Sequence, residues 1–205
     1  MFKILFLSLL TLSTLFAGPI HTVATDGNVA KLKSLLANGS DINSANQYGQ
    51  TPLMLAVYNE HLEAVTLLIE KGADLEVKMK NGQTALFIAA FLGKNRIIMQ
   101  LLDNGAKVDA RDNNGETPLH RAAEGGSASA IRLLLEHGAK IDALDKHLST
   151  PLHLAAAINN ENAVWALVRA GASNRFINDE EMSASEVADE EDYGRIVKII
   201  EKYAK

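Results

Sequence analysis

The chain of 205 residues is 47% apolar and 22% charged, and its 20 Lys+Arg against 25 Asp+Glu give a formal net charge of −5. An apolar fraction this high predicts a folded protein and excludes wholesale disorder. The acidic balance argues against nucleic acid or an anionic membrane as the main partner, and the absence of cysteine excludes disulfides, thiolate catalysis and Cys-ligated metals.

Residues 1–17 have the pattern of a secretory signal peptide. Lys3 precedes an apolar run over 4–16, and the run ends at the small residue Ala17. Because this run is shorter than the roughly 20 residues of a spanning helix, we expect cleavage after Ala17 and a periplasmic or secreted protein. Leu15 is larger than the residue preferred three positions before a cut, so an uncleaved anchor is the alternative.

The rest of the chain repeats one unit with a period of 33 residues. A first marker is a threonine that recurs at Thr51, Thr84, Thr117 and Thr150. A second marker is a glycine that recurs at Gly39, Gly72, Gly105, Gly138 and Gly171. Two markers with one period predict stacked repeats, and the predicted units are 18–45, 46–78, 79–111, 112–144, 145–177 and 178–205.

Local chemistry predicts the structure of each unit. Threonine followed by proline, as at Thr51–Pro52, is an N-cap followed by a proline at the first helical position. A second helix is predicted from apolar residues at helical spacing, such as Val65 and Leu68, and glycine then ends it. The unit is therefore a helix, a turn, a helix and an extended tip, and neighbouring units must stack to bury their apolar faces.

The motifs GQTPLMLA at 49–56 and GETPLHRA at 115–122, with NGSDIN from residue 38 and KGADLE from residue 71, resemble the ankyrin repeat family. The resemblance covers residues 18–205. It implies an all-α ankyrin repeat solenoid of stacked helix-turn-helix units with β-hairpin tips. The short leader and the lack of cysteine are also similar to small periplasmic ankyrin proteins of bacteria, some of which accompany catalase and peroxide defence.

Two departures from the repeat carry expectations of their own. The unit 178–205 has Ser183 where threonine would stand, and we expect it to be a C-terminal cap whose acidic run over 179–192 is a solvated end; an acidic patch for a basic partner is the alternative. Leu148 stands where the three preceding tips have Gly49, Gly82 and Gly115. We expect this tip to be remodelled, by loop distortion or by a partner that contacts Leu148 and His147.

Catalytic and metal motifs do not occur in the sequence. It contains no HExxH, no phosphate-binding glycine loop and no GxSxG, so we expect no enzyme activity, no cofactor and no metal site. Three histidines, His21, His120 and His153, occupy the fourth position of the TPLH motif, and a fourth, His61, lies mid-repeat; we expect structural roles for all four. His137 is expected to cap a helix end, and His147 to be exposed on a tip.

In the family that the sequence resembles, partners bind at the tips and at the concave face of the first helices. Carried over by position, this predicts a partner-binding surface formed by Tyr48, Tyr58, Lys80, Asn81, Phe91, Leu92, Asn114 and His147. We expect Tyr58 and Phe91 to lie side by side on adjacent first helices and to anchor a partner. The alternative is that Phe91 and Leu92 pack against neighbouring side chains.

The sequence thus predicts an exported, monomeric protein-protein interaction module that binds neither nucleic acid nor, after cleavage, a membrane. A role in periplasmic peroxide defence is implied by the resemblance alone. One alternative is a carrier of haem or another small ligand, with His147 or His137 as axial ligand and Tyr58 and Phe91 as walls. A second alternative is an exported effector or a toxin-neutralising protein.

Overall fold

The computed structural model describes residues 18–205, so the predicted signal peptide lies outside the described residues. This part of the chain contains twelve helices and no β-strand. The helices are α1 (Pro19–Thr25), α2 (Val29–Ala37), α3 (Pro52–Tyr58), α4 (Leu62–Glu70), α5 (Ala85–Phe91), α6 (Asn95–Asp103), α7 (Pro118–Gly125), α8 (Ala128–Glu136), α9 (Pro151–Ala157), α10 (Glu161–Ala170), α11 (Ala184–Glu190) and α12 (Gly194–Tyr203). Odd-numbered helices are the first of a pair, and even-numbered helices the second.

The helix starts follow from the predicted caps. The hydroxyl of Thr51 accepts the N–H of Met54 at 3.3 Å, and Pro52 begins α3. At α11, Ser183 accepts the N–H of Glu186, whose carboxylate in turn accepts the N–H of Ser183 at 2.8 Å. This reciprocal pair is a capping box, in which two N–H groups that the helix leaves unsatisfied gain partners.

The described chain divides into two compact units, the first ending at Lys80 and the second running from Asn81 to Lys205. In the first unit, α1 packs on α3 and α2 packs on α4. Leu32, Leu53 and Leu68 are fully buried between these helices. The two layers of first and second helices therefore share one apolar core.

The second unit contains two layers of its own, formed by four helix pairs. The first helices α5, α7, α9 and α11 each pack on the next, and so do the second helices α6, α8, α10 and α12. Phe87 and Leu119 are buried from the first helices, and Ile98 and Ile131 from the second. Within the part of the chain that the structure describes, no helix is both long and apolar enough to cross a membrane.

Residues 178–205 close the second unit. Ile196, Ile199 and Ile200 of α12 are buried, and Val197 is half-buried. All eight acids of the run over 179–192 are exposed, as expected of a solvated end. Main-chain bonds tie the last residue back, because Asn174 N donates to Lys205 O at 2.9 Å and Lys205 N donates to Ala172 O at 3.1 Å.

The tips differ from the β-hairpins that the resemblance implied. Most of them are tight turns with main-chain hydrogen bonds across five residues, such as Asp145 N to Ser149 O at 3.0 Å and Asp112 N to Glu116 O at 3.1 Å. The residues on either side of these turns are not assigned to strands.

The expectation that the tip at Leu148 is remodelled is wrong. Leu148 has a φ of 58°, in the same left-handed region as Gly115 at 77°. Leu148 N also donates to Asp145 O at 3.3 Å, as Gly115 N donates to Asp112 O at 3.1 Å. The turn is retained because its hydrogen bonds outweigh the cost of placing a Cβ there, which is on the order of 1 kcal/mol.

We expect Leu148→Gly to raise the free energy of unfolding by up to about 1 kcal/mol, because it removes the Cβ from a left-handed backbone. The leucine side chain is 47% exposed, so little burial is lost. Leu148→Ala is the control, since it shortens the side chain and keeps the Cβ. Chemical denaturation of the three proteins checks this, and an equal effect of alanine and glycine would show that no backbone strain is stored.

Candidate protein-interaction surface

The first residue of most tips holds the turn with its side chain. Asp145 Oδ1 accepts the N–H of His147 at 2.8 Å and the N–H of Ser149 at 2.9 Å. The same arrangement occurs at Asn46, Asp112 and Asn178. A side-chain oxygen that accepts two main-chain N–H groups fixes the turn, so the backbone of these tips is set before any partner binds.

Neighbouring tips within each unit are joined by main-chain hydrogen bonds. In the first unit, Lys80 N donates to Tyr48 O at 3.2 Å. The second unit has three such bonds, from Asn113 N to Asn81 O at 3.0 Å, from Lys146 N to Asn114 O at 2.9 Å and from Asp179 N to His147 O at 2.9 Å. Five of the eight predicted site residues thus join tips through their main chain. Their side chains are exposed in every case except Tyr48, which is half-buried.

His147 is exposed on its tip, as predicted, and it has a partner. Its Nδ1 lies 2.9 Å from Oδ2 of Asp179 on the next tip. The hydrogen bond and the negative charge of Asp179 raise the pKa of His147. The imidazole therefore serves a tip-to-tip contact, and the role of axial ligand stays an untested alternative.

The other histidines have the structural roles that their positions predicted. His21 and His61 bond Ser44 O and Thr25 O within the first unit, and His137 Nδ1 donates to Leu133 O at the end of α8. His120 and His153 each accept the N–H of the N-cap threonine at 3.1 Å and bond a carbonyl of the next tip. Burial lowers the pKa of both rings. In residues 18–205, no three His, Asp or Glu side chains are grouped to hold a metal ion.

The three predicted helix-end residues fall in different units. Tyr58 ends α3 in the first unit and is half-buried. Phe91 ends α5 in the second unit, where Leu92 follows it, and both are half-buried. The side-by-side placement of Tyr58 and Phe91 stays a prediction.

Phe91 has an intramolecular contact that supports the packing alternative for this residue. The guanidinium carbon of Arg121, on α7, lies 4.8 Å from the centroid of the Phe91 ring, in the range of a cation–π interaction. The two helices also approach closely at their ends, because a Cβ added to Gly125 would lie 2.0 Å from Phe91 O. Phe91 is therefore both part of the surface and a packing partner of α7.

Arg121 organises a charged cluster that the sequence-based prediction missed. Its Nη1 forms an ion pair with Glu124 and lies 3.7 Å from Oε2 of Glu116. The side chains of Arg121 and Glu116 are each only 14% exposed. The repeat pattern could have indicated this cluster, since the corresponding position is apolar in four of the other five units. Those residues are Leu55, Ile88, Leu154 and Val187.

Glu116 is the electrostatically unusual member of this cluster. Burial raises its pKa from 4.5 to about 7, against the lowering effect of Arg121 and with the help of the charges of Asp112, Glu124 and Asp145. Its buried Oε2 and the buried Nε of Arg121 make no hydrogen bond within the described residues. A single guanidinium thus lies close to two carboxylates. Above neutral pH, where both carboxylates are ionised, the cluster has a net negative charge.

We expect the contribution of Glu116 to the free energy of unfolding to fall as the pH rises from about 4.5 to about 7, because the folded protein holds the Glu116 proton over this range and the unfolded chain releases it. Glu116→Gln removes this slope. After allowance for solvent screening, its stability relative to wild type should improve by about 1–2 kcal/mol between pH 5 and pH 8. Urea denaturation at the two pH values measures this, with Glu201→Gln as an exposed control; parallel pH profiles of Glu116→Gln and wild type would contradict it.

A shallow hollow of about 200 Å³ lies beside this cluster, between α9, α11 and the tip that precedes α11. Its lining is apolar at Leu154, Ala157, Met182 and Val187. The rest of the lining is polar at Ser149, His153 and Asn178 and acidic at Glu180, Glu190 and Glu191. These acids belong to the run over 179–192 that was expected to be a solvated end, and the sequence gives no sign that three of them border a hollow.

Comparison with known proteins adds one positive finding. A family model described as ankyrin repeats (3 copies) matches residues 20–112 and 92–178, which together cover more than half of the chain. No curated protein matches the sequence.

Proposed function

The chain belongs to the ankyrin repeat family, and we propose that it is a non-catalytic, monomeric binding protein that acts outside the cytoplasm on a protein partner. The family match and the paired helices confirm the predicted fold class. Ankyrin repeats form protein-protein interaction modules. The signal-peptide pattern of residues 1–17 supports export, and the acidic composition supports a partner other than nucleic acid or membrane.

The observation that supports this proposal most strongly is that the main chain and the side chains of the tips have different roles. The fold uses the main chain of the tips and, at most of them, one anchoring side chain, while the second and third residues of the tip vary from repeat to repeat. At one such position the chain has Tyr48, Asn81, Asn114 and His147, and at the preceding one Gln47, Lys80, Asn113 and Lys146. Varied side chains on a fixed, repeated backbone are what recognition of a specific partner requires.

Affinity capture from the periplasm or medium of the source cells tests the proposal. The tip variant carries alanine at Asn114, Lys146 and His147, which are exposed. We expect it to lose the partner. The matched control carries alanine at Arg96, Arg132 and Lys198, which are exposed on second helices, and it should retain the partner. Equal capture by both variants would contradict a partner on the tips.

The captured protein also identifies the process. A catalase or another peroxide-detoxifying enzyme would support the role in peroxide defence that the resemblance implied, and a host protein or a toxin would assign the chain to one of the alternatives.

Alanine at Tyr58 or Phe91 should cost about 2 kcal/mol of partner affinity if these residues anchor the complex. Since Phe91 contacts Arg121, its variant needs a parallel unfolding measurement to separate lost binding from lost packing.

A further inference from the structure

The hollow between α9 and α11 has the size of a side-chain pocket. Its volume of about 200 Å³ is below the roughly 300–1,000 Å³ of pockets that hold small molecules and cofactors. Leu154, Ala157 and Met182 line it and are half-buried, so their apolar surface is partly open to solvent. Ile158, the residue after Ala157, is a large apolar side chain with 47% exposure. The hollow is therefore suited to one apolar side chain of a partner.

The rim of the hollow is acidic and unpaired. Glu180, Glu190 and Glu191 are exposed, and within residues 18–205 none of the three forms an ion pair. The whole run over 179–192 contains eight acids and no base. Asp179 is paired with His147, whereas the three rim carboxylates have no basic partner within the described residues and can pair with a basic group of another molecule.

The negative surface continues from the hollow onto α7. Helix α9 packs between α7 and α11, and the positions one repeat after Arg121 and Glu124 are Leu154 and Ala157, which line the hollow. The cluster of Glu116, Arg121 and Glu124 therefore adjoins it on the same face. We call this surface the acidic groove. It comprises the hollow with Glu116, Glu124, Glu180, Glu190 and Glu191, and it contains one arginine, Arg121, and the buried, uncharged His153.

We infer that the acidic groove binds a basic segment of the partner protein, in which an apolar side chain enters the hollow and flanking arginines pair with the rim carboxylates. The inference rests on the proposed function and specifies the partner's chemistry. Arginine fits better than lysine because its planar guanidinium can bond a carboxylate through two parallel N–H groups. The same carboxylates repel nucleic acid and anionic lipid, so a protein segment is the occupant that the charge favours.

A labelled synthetic peptide of sequence SGRRLRGS tests this without knowledge of the natural partner. Its affinity is measured by fluorescence anisotropy at about 0.15 M salt, where the Debye length is about 8 Å and distant charges are screened. The groove variant carries Glu180→Gln, Glu190→Gln and Glu191→Gln. The control variant carries Asp189→Asn, Asp192→Asn and Glu201→Gln, which change the net charge equally at exposed positions outside the hollow lining.

We expect the groove variant to bind the peptide at least tenfold more weakly than wild type and the control variant to stay within twofold. Replacing the leucine of the peptide by serine should also weaken binding. Absence of peptide binding, equal weakening in both variants, or equal binding of a peptide with glutamate in place of arginine would each overturn the inference. Capture separates this from the proposed function: if the tip variant loses the natural partner while the groove variant keeps it, the acidic groove is wrong and partner binding at the tips stands.

Discussion

Gly125→Ala should lower the free energy of unfolding by about 3 kcal/mol or more, a large effect for a single methyl group. The added Cβ would lie 2.0 Å from O, 2.8 Å from C and 3.1 Å from Cα of Phe91. These are main-chain atoms of α5, so no rotamer change can relieve the overlap. Relief requires α7 to move away from α5, which would disrupt the burial of Leu86 and Leu119.

The matched control is Gly194→Ala at the start of α12. Within residues 18–205, and apart from its chain neighbours and the backbone of its own helix, no heavy atom lies within 4 Å of a Cβ placed there. The substitution should therefore be neutral or stabilise the protein by up to about 1 kcal/mol. Denaturant unfolding of both variants, with comparison of midpoints and slopes, measures the difference. Similar stabilities of the two variants would mean that α5 and α7 are not in such close contact.

Removal of residues 178–205 should leave a protein that aggregates or melts far below the full chain. The deletion takes away Val187, Ile196, Ile199 and Ile200, which are buried, and it uncovers the faces of α9 and α10 on which α11 and α12 pack. At about 1.5–3 kcal/mol for each buried side chain, the loss is on the order of 6 kcal/mol or more, comparable with the whole stability of many domains.

Size-exclusion chromatography with light scattering and thermal unfolding of the truncated protein test this expectation. Ile200→Ala in the intact chain provides a graded comparison, with an expected loss of about 2–5 kcal/mol. A truncated protein that remains monomeric with an unchanged melting temperature would show that the segment is a tail and not a cap.

The local chemistry of this chain was predictable, because each rule acts within a few residues. Thr51 with Pro52 begins a helix where expected, and Leu148 was recognised as the residue in conflict with its tip. Whether this tip would be remodelled was not predictable. The sequence does not show whether the hydrogen bonds of the turn stabilise it by more than a left-handed leucine costs. In the folded protein the turn keeps both its hydrogen bonds and its left-handed leucine, so the hydrogen bonds outweigh that cost.

The features of the candidate site that depend on distance between helices were beyond sequence reasoning. Arg121 could have been noticed as a charge in an apolar position, but its contacts with Phe91 and Glu116 depend on how closely α5 and α7 approach. The raised pKa of Glu116 depends on its burial in the same way. The hollow between α9 and α11 is likewise a product of packing, although the acids on its rim were plain in the sequence.

The hydrogen bonds between tips also bear on how the chain folds. The bond from Lys146 N to Asn114 O and the bond from Asp179 N to His147 O each close a loop of 32 residues, the difference between the two positions. Closing loops of the same short length costs the same modest amount of conformational entropy. These contacts therefore form without bringing together residues that are far apart in the sequence. Folding of the second unit can therefore nucleate at any neighbouring pair of repeats and propagate. A nascent chain can dock each repeat of the second unit on the previous one as it emerges, before the following repeats are synthesised.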